Sequence, residues 1–266
     1  MRELAERAYF VLCLAFGRLL RSARYSKART VYQDGELFVR KHRVFYAPLL
    51  IWFGDALMRI LGTGVRVLPQ RDWEEREREI YRILYGASIR IDADGTLVLP
   101  RLAGETLAAL LDNPELEEAV RRRVIELAVV ALAEFHRLGF THGDAMAENV
   151  LVDLEAGVAH WFDFETRHDT RRLFAWRRAD DVRALLATCL VRTGAGKQAE
   201  TVRLVLDVYA DLSRQSCESA NGGQGVAGLL ATSFVSTWRR ALTFHLAQAE
   251  LCFESFREIA ALLRAR

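Results

Sequence analysis

The sequence predicts an α+β fold, with β-structure concentrated in a small N-terminal portion and a mainly helical remainder. Three observations carry this. Two Asp-Gly dipeptides, Asp34-Gly35 and Asp94-Gly95, each lie between short runs of β-formers, a strong local hairpin signal. Beyond Asn113 the character changes, and Val124 to Leu138 is apolar enough for a buried helix. A last hairpin, Val150 to Asp153 and Val158 to Asp163 around Ala156-Gly157, interrupts the helices. The 266 residues, 51% hydrophobic and 27% charged, can bury a substantial core in one large or two small domains.

The net charge of +2 provides no global field toward nucleic acid, and no run of like charges forms a tail. Cys13, Cys189, Cys217 and Cys252 are widely spaced without a C-x-x-C pair, the pattern of reduced structural thiols. No apolar run reaches the roughly 18 residues of a membrane span. Ala8 to Phe16 is too short, Glu3 and Glu6 are wrong for a signal peptide, and no A-x-A site follows. The expected location is cytoplasmic, with peripheral contact at the inner face of the membrane as the variant.

Residues 1–29 read as an N-terminal amphipathic helix. Arg2 to Leu20 is apolar almost all round, and Arg18, Arg21, Arg24, Lys27 and Arg29 give it a basic end. It is either an interfacial anchor or a helix packed on the domain behind it. Residues 30–100 follow as the strand-bearing portion. Thr30 to Lys41 is strand, turn, strand, with Lys41 near the end of the second strand and Arg40 on the opposite face. Val44 to Leu61 is an unusually apolar insertion whose Ala47-Pro48 suits a helix start and Gly62 its end. Its apolar residues exceed one face, so it docks on a lipid surface or a partner, or is buried against the N-terminal helix.

Gly62-Thr63-Gly64 reads as a helix end and turn. Arg71 to Leu84 is a charged helix carrying Glu74, Glu75, Glu77 and Glu79. Ile89 to Leu99 is the second hairpin, running into Pro100, which lacks an N–H.

Residues 101–266 form the helical portion. Asn113-Pro114 with Glu115 and Glu117 reads as a helix start, and the central helix ends at Gly139. His136 reads as a structural core histidine. Asp181 reads as opening a helix. Arg167, His168, Arg171, Arg172, Arg177 and Arg178 concentrate positive charge in an otherwise balanced chain. Arginine forks suit phosphate or carboxylate, so the cluster binds an anion or is a solvated loop. From Gln198 the chain reads as helices, with a break at Asn221 to Gly225.

The chemistry lies in Phe140-Thr141-His142-Gly143-Asp144-Ala145-Met146-Ala147-Glu148-Asn149 and the hairpin after it. A hairpin returns its second end to its first, which makes Asn149 and Asp163 neighbours. Two oxygen ligands side by side suit magnesium. His142 reads as a buttress of the loop backbone rather than a proton carrier.

The H-G-D-x-x-x-x-N spacing followed by Asp163-Phe164-Glu165 resembles the catalytic core of the protein-kinase-like superfamily. The H-G-D form is most similar to aminoglycoside and choline phosphotransferases and to lipopolysaccharide (Kdo/heptose) kinases. The resemblance implies a two-lobe fold, a small β-containing N-lobe and a mainly helical C-lobe, with ATP and magnesium between them. It implies that Asp144 orients and deprotonates an acceptor hydroxyl, that Asn149 and Asp163 hold Mg2+, and that Lys41 reaches the phosphates.

Glu79 fits the family's lysine-pairing residue best, with Glu75 one turn away on the same face. Adenine is expected at the hinge formed by Leu99, Arg101 and Leu102, and Asp181 is expected to accept hydrogen bonds from the backbone of the catalytic loop. Two departures stand out: no G-x-G-x-x-G precedes Lys41, and D-F-E replaces D-F-G. The implied activity is transfer of the γ-phosphoryl of ATP to a small-molecule or glycolipid acceptor, anionic if Arg167, Arg171 and Arg172 bind it. A protein serine/threonine kinase and a non-enzymatic pseudokinase are the alternatives.

Overall fold

The computed structural model describes residues 26–33, 35–61, 64–194 and 196–217, with positions 7, 8 and 11 before them. The break at 221–225 and, but for positions 7, 8 and 11, the expected helix over 2–20 therefore lie outside the described residues. The fold is α+β, with small antiparallel sheets and helices.

Strands β1 (Ser26–Gln33) and β2 (Glu36–Arg43) form the first hairpin. Its turn contains Gly35 at φ 88°, a left-handed conformation that glycine adopts without steric cost. Lys27 and Arg29, expected at the basic end of the N-terminal helix, instead lie on β1 opposite His42 and Arg40. Ser26 to Arg29 are not β-formers themselves; pairing along the whole of β2 extends the strand back through them, so tertiary context overrides propensity. Helix α1 (Ala47–Leu61) follows, then β3 (Val65–Val67) and α2 (Gln70–Tyr85). Trp73, Glu77, Ile80 and Tyr81 are the buried face of α2, spaced as one helical stripe. Gly86, left-handed at φ 59°, ends the helix by donating its N–H to the Tyr81 carbonyl.

Strands β4 (Arg90–Ile91) and β5 (Leu97–Pro100) complete a sheet of order β1-β2-β5-β4. Next come β6 (Glu105–Thr106) and the short α3 (Leu107–Asp112), capped by the Thr106 hydroxyl, which accepts from the Ala109 N–H. Asn113 does not start the next helix. Its Oδ1 accepts from the Glu115 N–H in a local turn, and the next helix, α4, spans Glu118–Arg137.

Helix α4 ends before Gly139 and leads to a 3-10 turn, Ala147–Asn149. The hairpin β7 (Val150–Asp153) and β8 (Val158–Trp161) follows, with β6 on its edge. Strand β9 (Thr166–His168) returns to pair with β3. Helices α5 (Phe174–Val191) and α6 (Gln198–Cys217) close the described chain.

A main core joins most of these parts, and a smaller cluster packs α1 on β3. The main core contains Leu97 and Leu99 from β5, Trp73 and Ile80 from α2, Val124 to Phe135 from α4, Leu185 and Leu186 from α5, and Val205 and Tyr209 from α6. Asp181 lies in mid-helix, not at a helix start, because α5 begins at Phe174 and is buried along most of its length. The polar residues read as a helix opening are instead an internal network. Cys189, on the same helix, is a free, buried thiol. Among the described residues, no helix is long and apolar enough to cross a membrane.

Candidate active site

The loop 142–149 is shaped by three local facts. Gly143 has φ 85°, and a Cβ there would approach the Arg167 backbone at 3.0 Å, so the middle residue of H-G-D is glycine for conformation and for space. His142 is fully buried. Its Nδ1 accepts from the Asp144 N–H at 3.3 Å and its Nε2 faces the Phe162 carbonyl at 2.9 Å, which together require the neutral Nε2–H tautomer. Burial agrees, lowering its pKa to about 4. His142 thus ties the loop to the end of β8, the buttressing role expected of it.

Asn149 is buried and donates both amide hydrogens to Asp144, to its carbonyl at 2.8 Å and to Oδ2 at 2.9 Å. That leaves the amide oxygen as the group of Asn149 that can take a cation. The Asn149 carbonyl also accepts from the Phe162 N–H at 3.0 Å, closing the hairpin's open end next to Asp163. Asn149 and Asp163 are thereby drawn together as the hairpin argument expected. Asp163 is the one described non-glycine residue with positive φ, 66°. This is an uncommon conformation for a side chain-bearing residue, of the kind stored at functional sites. It turns the carboxylate onto Lys41, whose Nζ lies 2.5 Å from Asp163 Oδ1.

Lys41 is buried on β2 and faces three carboxylates: Asp163, Glu165 at 2.7 Å and Glu77 at 3.8 Å. Burial works to lower its pKa, but the three carboxylates outweigh burial and hold it raised. Burial raises Asp163, partly offset by Lys41, and raises Glu77 as well. Glu165 is held low, because Lys41 and Arg43 outweigh its desolvation. Two cations, Lys41 and Arg43, thus meet three carboxylates, an excess of negative charge that a divalent cation complements. Among the described residues, no group of three His, Cys, Asp or Glu side chains has metal-ligand spacing. The oxygen donors that Asn149 and Asp163 could offer a cation are one amide oxygen and one carboxylate.

The residue on α2 facing Lys41 is Glu77 and not Glu79. Glu79 lies on the exposed side of α2, and so does Glu75. The reason is helical phase: Glu77 is four residues from Trp73 and four from Tyr81, on the buried stripe, whereas Glu79 is turned away by two residues. Glu77 Oε1 also accepts from Trp73 Nε1 at 3.0 Å and from the Phe164 N–H at 3.2 Å. Glu77→Ala is expected to cost about 3 kcal/mol by leaving two buried donors unpaired. Glu79→Ala should stay within about 0.5 kcal/mol. Urea denaturation of both variants checks this, and equal midpoints would refute the assignment. Glu165 and Arg43 are two further site residues that the motif spacing does not point to. The one signal for Arg43 is alternation on β2, which places it on the face of Lys41.

Behind the loop, Asp181 is 1% exposed. It accepts from the His142 N–H at 2.6 Å, the Gly143 N–H at 2.8 Å and His136 Nε2 at 3.0 Å. This is the backbone clamp the resemblance implied. His136 also meets the Tyr209 hydroxyl at 2.6 Å, and His168 bridges Thr141 and Asp180. His168 is therefore core and not part of a basic surface, and Arg178 turns inward to Tyr209 and Ser213. Arg167, Arg171 and Arg172 remain exposed, with Arg171 tied to Asp169 and Arg172 over the Trp176 ring.

The buried histidines set a pH dependence. Between about pH 6.5 and 4 the unfolded chain takes up a proton that folded His142 refuses, so stability falls with pH across that interval. Burial depresses His136 in the same direction. The expected loss is about 3 kcal/mol from His142 alone. Urea midpoints measured from pH 7 to pH 4 should fall, and His142→Gln should flatten the slope; a flat wild-type profile would contradict it.

At the expected hinge, Leu99 lies opposite Val39 in the sheet and the Arg101 N–H donates to the Leu37 carbonyl at 3.1 Å. Of the three expected adenine contacts, Leu102 alone lies beyond this pairing. No protein-family model matches the chain, and no curated protein matches it.

Proposed function

We propose that this protein is an ATP- and magnesium-dependent phosphotransferase of two-lobe, kinase-like architecture. The observation that carries the reading is convergence: Lys41 of β2, Asp163 after β8 and the bonded Asp144–Asn149 pair meet at one place, from segments far apart in sequence. The sheet with α2 behind it supplies the small lobe, α4 to α6 with the β7–β8 hairpin the large one, and Leu99 to Leu102 the connection.

In this reading the Asn149 amide oxygen and Asp163 would hold magnesium, which would neutralise charge on the phosphates. Lys41 leaves Asp163 for a phosphate oxygen while Glu77 keeps its ammonium in place. Asp144, fixed by Asn149 and His142, orients the acceptor hydroxyl and takes its proton. Positioning and electrostatics then supply the catalysis. Leu102 contributes the adenine contact from the hinge. Arg167, Arg171 and Arg172 favour an anionic acceptor, a small molecule or a glycolipid.

Thermal shift with ATP, with and without magnesium, on wild type and Asp163→Ala tests the reading. Wild type should gain about 2.7 kcal/mol at a hundredfold excess of nucleotide over Kd, only with magnesium, and the variant should gain none. No shift in wild type would favour a non-nucleotide function.

A further inference from the structure

Helix α1 is amphipathic, yet much of its apolar surface points outward. Phe45, Leu49, Trp52, Phe53 and Ile60 are 94%, 67%, 68%, 46% and 77% exposed. Phe45 lies just before the helix, and the spacing of three, one and seven residues places Leu49, Trp52, Phe53 and Ile60 along a single stripe. The opposite side of the helix is satisfied, with Ala47 and Ile51 packed on Val44 and Val67. Among the described residues the outward stripe is thus a second apolar face of the helix.

Basic residues border it. Asp55 of α1 pairs with Arg59 and Arg66, and Arg66 on β3 lies opposite Arg167 on β9. Gly64, three residues past α1, accepts from the Asp169 N–H and packs on Trp176, over whose ring Arg172 lies. The turn between β9 and α5 thus abuts Gly64, in the segment that follows α1, and it exposes Arg171, Arg172 and Leu173, the last at 74%. This edge carries five arginines against Asp55, Asp72 and Asp169, a surplus of positive charge.

We propose that α1 and the β9–α5 turn form a docking surface for an anionic lipid bilayer. Aromatic and aliphatic side chains would enter the headgroup boundary while the arginines meet lipid phosphates. A stripe rich in Trp and Phe with an arginine border matches that interface better than a protein groove, since a lipid surface needs no complementary shape. The inference rests on α1 and its border, independently of phosphotransfer. If both hold, a glycolipid hydroxyl would be presented from the edge that carries Arg167.

Flotation of the full chain with phosphatidylcholine vesicles, with and without phosphatidylglycerol, tests it. Wild type should float with the anionic vesicles and at least tenfold less with the neutral ones, with a blue shift of tryptophan emission. Leu49→Ser/Trp52→Ser should lose at least tenfold in vesicle affinity while melting and shifting with Mg-ATP as wild type does, because neither side chain is buried. Arg171→Glu/Arg172→Glu should lose a similar factor, on anionic vesicles only. Wild type left in the supernatant with both compositions would overturn the proposal, and the face would then be covered by residues of the same chain or by a second copy. Unchanged binding by the Leu49/Trp52 variant, or equal binding to neutral vesicles, would also overturn it.

Discussion

Asp144→Asn is expected to lower turnover about 10³-fold, within the range for removing a positioned general base, without changing Mg-ATP affinity. The substitution is close to isosteric. Asparagine at 144 can still accept from the Asn149 amide, which now meets the Asp144 carboxylate at 2.9 Å, and its own N–H can still reach His142. What would disappear is the negative charge that, in the proposed reaction, draws a proton from the acceptor hydroxyl.

The contrast with Asp163→Ala separates the two roles. That variant should lose the magnesium-dependent thermal shift, whereas Asp144→Asn should keep it and lose product formation. Phosphate transfer to a panel of hydroxyl acceptors, followed alongside thermal shift, is the measurement. Full turnover in Asp144→Asn would remove Asp144 from the chemistry.

Asp181→Ala should be the most destabilising single substitution in the site region. It strips a hydrogen-bond acceptor from two backbone N–H groups and from His136 in a place with almost no water. Each orphaned donor costs about 1–3 kcal/mol, though not additively. A total near 4 kcal/mol corresponds to a fall in Tm of about 10 °C for a chain of this size. Asp181→Asn retains one acceptor oxygen and should lose about half as much. Turnover should fall in both, since the 142–144 backbone loses its anchor. Calorimetry on the three proteins decides it, and a Tm for Asp181→Ala within about 2 °C of wild type would show that the clamp is dispensable.

Much of the site is legible in the residues alone. The spacing from His142 to Asn149, the hairpin that brings Asn149 toward Asp163, and the strand carrying Lys41 are all consequences of local chemistry. Asp-Gly turns, period-two alternation and a glycine that must take positive φ act within a few residues. Glu79 shows where such reasoning stops: four glutamates on one charged helix look alike, and only the phase of Trp73, Ile80 and Tyr81 against the core selects Glu77. The arginine run after Asp163 shows the same limit. It reads as one basic cluster, yet His168 and Arg178 turn into the core while Arg171 and Arg172 face outward.

By itself, then, the sequence determined the α+β class, the hairpins, the H-G-D loop and the order of the site residues along the chain. Only the tertiary structure decided that Glu77 and Glu165 share Lys41, that Asp181 reaches the loop from the middle of a buried helix rather than from its start, and that the outer stripe of α1 is exposed among the described residues. Turn and strand preferences are short-range and written in adjacent residues. Which face of a helix is buried, and which charge meets which, depends on segments up to 122 positions away, as Lys41 and Asp163 are, and those meet only when the core closes.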